Sequence, residues 1–321
     1  MSVQLNSSFT HYLSCSAQRL PYIRTVCWLR EFYPIKRSMV KITSIASLAN
    51  EHAMNDLQIL LFTLQLWNTP APTVYIYTDR VSDPLIKKIK YAGKIITKVA
   101  LNTYTGLNRR QMESMPGAIY RTLFADFCAE KTHLMEWSIE ESGGGVLFCD
   151  ADICHLGALP EIPDSVELGL SPHLIRKRDT DLYGIYNARF IYVKSKEIAA
   201  KWRELCKTSR FFEQGCLEDL SEQVNPVYTF TKHTNYGWWR LYQGITSSAD
   251  LEKEWGFLRK DDTYCGLVIA GEPVLSIHTH WCEKNDQSTI NFNRWILEKL
   301  QKLTSLKKTK QLVQFIQKIQ V

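Results

Sequence analysis

Apolar positions in the first half of the chain switch repeatedly between two periods. Val40–Ser47, Val74–Thr78 and Lys94–Val99 are short runs rich in β-formers and predict strands. Between the first two, Met54, Leu57, Leu60, Leu61, Leu64 and Trp67 recur at helical spacing, which predicts a helix over Asn50–Trp67 with Asn50 as its cap. Pro70 and Pro72 close the turn that follows, and Pro84 suits the first turn of a short helix over Pro84–Tyr91. The polar stretch Asn102–Pro116, with Arg109 and Arg110, reads as a surface loop. Ala118, Ile119, Leu123 and Phe127 then predict a helix over Gly117–Lys131. Gly143-Gly144-Gly145 breaks the chain before a fourth apolar run, Val146–Cys149. Strands alternating with helices in this order imply an α/β fold, a mostly parallel central sheet flanked by helices. Ligands of such sheets bind beyond the carboxyl ends of the strands.

The second half is less regular. Leu168–Ser171, Ala188–Val193, Val268–Ile269 and Val274–Ile277 are strand candidates, and Lys196–Thr208 is a helix candidate. Asn291–Val321 reads as one long, basic, amphipathic helix. Residues 1–38 show no clear period. These readings divide the chain into an N-terminal extension (1–38), a central α/β domain (39–285) whose halves meet near residue 155, and a C-terminal helical tail (286–321).

Composition narrows the class without naming a function. The 321 residues are 45% hydrophobic and 22% charged, an ordinary globular profile. The net charge of +6 suits a small anionic ligand and gives no reason to invoke nucleic acid, since much of it lies in the last 25 residues. Nine cysteines, with no Cys-x-x-Cys pair, suggest free thiols in a reducing, cytoplasmic setting. No run reaches the roughly 18 apolar residues of a membrane span. The lysines of the tail could touch an acidic membrane surface peripherally.

The chemistry concentrates where the fourth strand ends. Asp150 and Asp152 are one residue apart after an apolar run, and in an extended chain they would face the same way. Two buried carboxylates need a cation, and hard oxygen ligands suit Mn²⁺ or Mg²⁺, which in turn hold phosphate oxygens. Asp79 ends the second strand at Tyr77-Thr78-Asp79 on the same side of the sheet.

With that motif in place, the stretch from Val40 to Lys284 resembles the nucleotide-sugar glycosyltransferases of the GT-A fold, with a family-8-like pattern. Tyr120-Arg121-Thr122-Leu123 is similar to a segment whose arginine touches the donor diphosphate, which implies that role for Arg121. Tyr186-Asn187-Ala188-Arg189 is similar to a segment whose asparagine contacts the donor sugar, implying Asn187; Arg189 stands where glycine is common. Glu213-Gln214 resembles an acid-amide pair near the reaction centre. In Ser276–Lys284, His278 and Lys284 keep the spacing of a metal-binding histidine and a lysine that neutralises the leaving group, and His280 is an alternative ligand. In that fold, a residue placed like Asp79 contacts the nucleotide.

The resemblance therefore implies a metal-dependent hexosyl- or pentosyltransferase, with 39–285 as its catalytic domain, 39–155 as a nucleotide-binding half and 156–285 as an acceptor half. A UDP-sugar would be the favoured donor and a hydroxyl of a glycan or glycoconjugate the acceptor. Asp150, Asp152 and His278 or His280 would hold the metal. Glu213 or Asp219 is the candidate base if configuration inverts. Glu213-Gln214 would position the sugar if it is retained. Trp238, Trp239, Tyr236 and Tyr242 could form an acceptor platform. The alternatives are a sugar-nucleotide nucleotidyltransferase, against which the lack of a Gly-rich basic loop after the first strand speaks, and a non-catalytic nucleotide-sugar-binding protein.

Overall fold

Seven strands build the central sheet: β1 (Ser44–Leu48), β2 (Thr73–Thr78), β3 (Ile95–Val99), β4 (Val146–Cys149), β5 (Leu168–Pro172), β6 (Tyr186–Val193) and β7 (Val227–Thr229). A computed structural model describes residues 38–245, 247–258 and 263–320. The expected N-terminal extension lies, apart from Ser38, outside the described residues. The spatial order is β7-β5-β6-β4-β1-β2-β3. All neighbours are parallel except β6, which runs antiparallel to both β4 and β5. The mostly parallel α/β sheet flanked by helices, with a helical C-terminus, is the architecture the sequence predicts.

Side-chain alternation along the strands sends successive residues to opposite cores. Ala46, Phe148, Ile191 and Leu170 pack against α2 (Leu123–Ser142), α3 (Lys196–Cys206) and α4 (Leu217–Gln223) through Leu134, Met135, Trp202 and Leu217. Ile45, Ile76, Leu147 and Phe190 pack against α1 (Met54–Trp67) through Leu57, Leu60, Leu61 and Leu64. A three-stranded sheet of Tyr236–Gly237, Ser276–His278 and Ile153–His155 joins the end of β4 to the C-terminal region.

Several elements differ from expectation: the strand placed over Val40–Ser47 divides into Met39–Lys41, which pairs with Glu161–Pro163, and β1, and the helix placed over Pro84–Tyr91 is the short Asp83–Ile86. The helix placed over Gly117–Lys131 starts at Leu123, because the Thr122 side chain caps it by accepting from Ala125 N. Asp126 accepts the backbone N–H groups of Ala118 and Tyr120, which holds the preceding segment in a bend and leaves Arg121 outside the helix. The helix then runs to Ser142 and ends at Gly143, whose φ of +67° is the left-handed cap that glycine adopts without steric penalty. The polar stretch before it contains a short helix, Arg109–Ser114, stabilised by a reciprocal Asn108–Gln111 capping box. The tail is two helices, α5 (Gln287–Gln301) and α6 (Lys307–Gln320). Leu312, Val313 and Ile316 of α6 are buried, and Phe315 stacks on Phe62 of α1 at 3.9 Å, so the apolar face of the tail is consumed within the fold. Among the described residues no helix is long and apolar enough to cross a membrane.

Candidate active site

Asp150 and Asp152 converge for a different reason than alternation along an extended strand. The segment after Cys149 is a turn in which Ile153 N donates to Asp150 O at 3.1 Å, and the chain then enters the small sheet. Two ladders fix its surroundings. β6 pairs antiparallel with β4, so Asp150 N donates to Arg189 O at 3.1 Å. Ser276–His278 pairs antiparallel with Ile153–His155, placing His278 opposite Ile153, and Thr279 N donates to Asp152 O at 3.0 Å. Backbone pairing thus delivers both carboxylates and one imidazole to a single point beyond β4.

One donor atom each from Asp150, Asp152 and His278 lie within 4.8 Å of one another. Asp152 Oδ1 is 3.2 Å from His278 Nε2, and Asp152 Oδ2 is 3.5 Å from His280 Nε2. Burial raises the Asp152 pKa, but His278 when protonated, together with His280 and Arg189, holds it far below the usual carboxylate range. Burial pushes His278 below its ordinary value, which favours the neutral ring that a metal ligand must present.

The neutral tautomer of His278 follows from its neighbours. Arg189 N donates to Asn187 Oδ1 at 3.1 Å, and the same oxygen accepts from Asn235 Nδ2 at 3.0 Å. Asn235 Oδ1 is therefore the atom that faces His278 Nδ1 at 3.1 Å, and it accepts a proton from that nitrogen. The lone pair of Nε2 is left directed at Asp152 and Arg189. Outer partners that set a ligand's tautomer are a common device of metal sites. Trp239 adds a steric wall, its ring edge-on to His278 with centroids 4.8 Å apart. Gly237 makes that approach possible, because a Cβ there would collide with the Trp239 ring.

A buried lysine couples this point to the Glu213-Gln214 pair. Lys131 Nζ lies 3.1 Å from Asp150 Oδ1 and 2.6 Å from Glu213 Oε1. Burial alone would lower the Lys131 pKa, but Asp150 and Glu213 reverse the shift and keep it charged. Gln214 is anchored to the backbone, accepting from Ala188 N at 3.2 Å and donating to Tyr183 O at 2.7 Å. Phe212, just before the pair, has a left-handed φ of +41°, a conformation that bulky residues rarely adopt.

His280 belongs to a neighbouring pair. Its Nδ1 is 2.8 Å from Asp56 Oδ2, and Trp281 N donates to Asp56 Oδ1 at 3.2 Å. Asp152 first, and then Asp56, raise the His280 pKa to about 9 against the effect of burial. A histidine raised on folding contributes stability that is complete below its unfolded value near 6.5 and is lost as pH rises through about 9. Because 57% of its side-chain surface faces solvent, screening keeps that contribution modest. Urea titrations should show wild-type stability falling between pH 7 and pH 9 more steeply than that of His280→Gln. Parallel pH profiles would contradict the assignment.

The donor set suits Mn²⁺ or Mg²⁺: two carboxylates and a neutral imidazole, a combination of hard oxygens with one nitrogen. Charge agrees. Asp56, Asp150, Asp152 and Glu213 are four carboxylates set against two permanent cations, Lys131 and Arg189, with His280 as further compensation among the described residues.

Other residues singled out from the sequence stand elsewhere or in other roles. Asn187 is within the hydrogen-bond network described above. Asp79 is buried, and its Oδ1 accepts from Val81 N and Ser82 N at 2.9 and 2.8 Å, while its buried Oδ2 has no partner. Arg121, Asp219 and Lys284 are exposed, and no contact of theirs joins them to the carboxylate cluster. Arg109 pairs with Glu113. Trp239 and Tyr236 are buried, whereas Tyr242 is exposed and Trp238 lies half-buried beside it, centroids 6.1 Å apart. Sequence reading missed Lys131, Asn235 and Asp56. Lys131 and Asp56 lie among helical residues, and nothing local distinguishes them from surface charges.

No family description and no curated protein matches this chain. Several solved structures do. The galactosyltransferase LgtC, in complex with donor and acceptor sugar analogues, superposes with a TM-score of 0.46 at 14% identity, over 82% of this chain and 96% of that one. Mouse xyloside xylosyltransferase 1 in its apo form superposes at 0.41 and 12% identity, over 75% of this chain and 98% of that one. The glycosyltransferase GlyE of Streptococcus pneumoniae gives 0.40 and 10%, over 63% and 48%. At such distances the chemistry must be read from this chain's own residues.

Proposed function

We propose that this chain is a metal-dependent glycosyltransferase that moves a sugar from a nucleotide-diphosphate sugar, with UDP the favoured nucleotide, to a hydroxyl of a glycan or glycoconjugate. The observation that carries this reading is the convergence of Asp150, Asp152 and a tautomer-fixed His278 beyond the carboxyl end of β4. A divalent ion held by these three would neutralise the donor diphosphate and stabilise the departing nucleoside diphosphate.

The chain's own residues supply the rest. Lys131 holds Asp150 and Glu213 in fixed relation, so the sugar-facing pair and the phosphate-facing pair move together. Glu213 is buried and already engaged by Lys131, and Asp219 is exposed on α4. Glu213 is thus committed and Asp219 stands apart from the carboxylate cluster, which favours retention of configuration, with Glu213-Gln214 positioning and shielding the sugar. An open cleft of about 950 Å³ on the acceptor half, lined by residues including Ile175, Arg176, Ile185, Arg210 and Glu218, is our candidate for the acceptor. It adjoins the segment that Gln214 anchors through Tyr183 O. A thermal-shift panel of nucleotide sugars tests the reading. We expect UDP-sugars to raise the melting temperature only when Mn²⁺ is present, and stabilisation independent of metal would overturn the site.

A further inference from the structure

Both oxygens of Asp150 are already engaged by cations of the chain itself. Lys131 takes Oδ1, and Arg189 Nε lies 3.3 Å from Oδ2. The same guanidinium reaches the imidazole, with Nη1 donating to His278 Nε2 at 3.1 Å. Arg189 therefore bridges two of the three atoms that would bind a metal. Its placement is built into the sheet. β5 and β6 pair with a shift of register between Leu170 and Ser171, so Ala188, Arg189 and Phe190 stand in a bulge. Bulges re-aim side chains and are frequent beside active sites. The backbone of Arg189 is fixed on both sides, its N–H on Asn187 Oδ1 and its carbonyl on Asp150 N. The contact also has a local electrostatic reason. The Nε2 lone pair of His278 faces Asp152 Oδ1 at 3.2 Å, and two electron-rich atoms at that distance are stable only beside a cation.

We propose that Arg189 is the resident counter-cation of the site, competing with the divalent ion for Asp150 and His278, and that the donor's diphosphate relieves the competition by accepting the displaced guanidinium. Lys131 cannot serve in that way, because it is buried between Asp150 and Glu213. One third of the Arg189 side chain is exposed, and its planar fork matches two phosphate oxygens. Metal and nucleoside diphosphate should then bind with positive coupling, each tightening the other by the same factor. This inference rests on the proposed function.

Mn²⁺ binding to the full chain, followed by electron paramagnetic resonance, tests it without any turnover. For the wild type we expect weak binding of Mn²⁺ alone, tightened about tenfold or more by UDP. In Arg189→Ala, Mn²⁺ alone should bind at least about tenfold more tightly than in the wild type, with a smaller further gain from UDP. Equal or weaker binding of Mn²⁺ alone in Arg189→Ala would overturn the competition while leaving the metal site intact. If that variant does not fold, Arg189→Lys reads the same effect: its single ammonium cannot bridge both atoms, so tighter Mn²⁺ binding than in the wild type is expected, and unchanged affinity overturns the idea. Absence of Mn²⁺ binding in every variant, even with UDP, would instead remove the metal site and this inference with it.

Discussion

Replacing Asp152 with Asn is expected to lower metal-dependent donor turnover on the order of 10³-fold, as removal of a preorganised electrostatic group does elsewhere. The substitution preserves shape, and the backbone carbonyl of residue 152 still accepts from Thr279 N, so the small sheet that carries His278 should form as before. What changes is charge. The Asp152 carboxylate is the partner of both His278 and His280, and a neutral amide can neither replace its negative charge nor bind a hard cation as firmly. A nucleoside-diphosphate release assay with Mn²⁺ varied, alongside a melting curve, separates lost chemistry from lost folding. Full turnover in a folded Asp152→Asn would mean that the paired aspartates do not hold the donor.

The second large effect is on stability. Lys131→Met should destabilise the fold by about 3–5 kcal/mol, because it leaves Asp150 and Glu213 facing each other without their shared buried cation. Scaled by the usual entropy of unfolding for a domain of this size, the melting temperature should drop by roughly 10 °C. The double variant Lys131→Met, Glu213→Gln should recover part of that loss, since Asp150 keeps Arg189 as a partner and the charge at Glu213, which has lost its cation, is gone. Calorimetry on the three proteins decides the matter. A Lys131→Met protein as stable as the wild type would show that the lysine does not neutralise the pair. A double variant less stable than the single would show that Glu213 contributes through contacts other than this ion pair.

The parts of the site that sequence made legible are those signalled locally. Val146–Cys149 followed by Asp-x-Asp marked the end of a buried strand, and the short apolar run before His278 marked a second strand leading to a candidate ligand. Alternation gave a mistaken route to a useful result: the two aspartates sit in a turn and are brought together by pairing with β6 and with Ser276–His278. That pairing is long-range, with β6 antiparallel in an otherwise parallel sheet, and no local pattern announces it. Lys131 was hidden for the same reason. Along α2 it reads as an ordinary helix lysine, and only the fold shows that it points at carboxylates from two distant segments. Arg189, conspicuous in the sequence as a departure from glycine, acquires a physical role once its guanidinium is seen on Asp150 and His278.

The central claim is that Asp150, Asp152 and His278 hold one divalent ion against a nucleoside diphosphate. Crystals grown with Mn²⁺ and UDP, measured near the manganese absorption edge, test it most directly. We expect one anomalous peak within about 2.0–2.4 Å of a donor atom from each of the three residues, with diphosphate oxygens completing the shell. A bound UDP with no anomalous peak at these residues, or a peak coordinated elsewhere, would contradict the account.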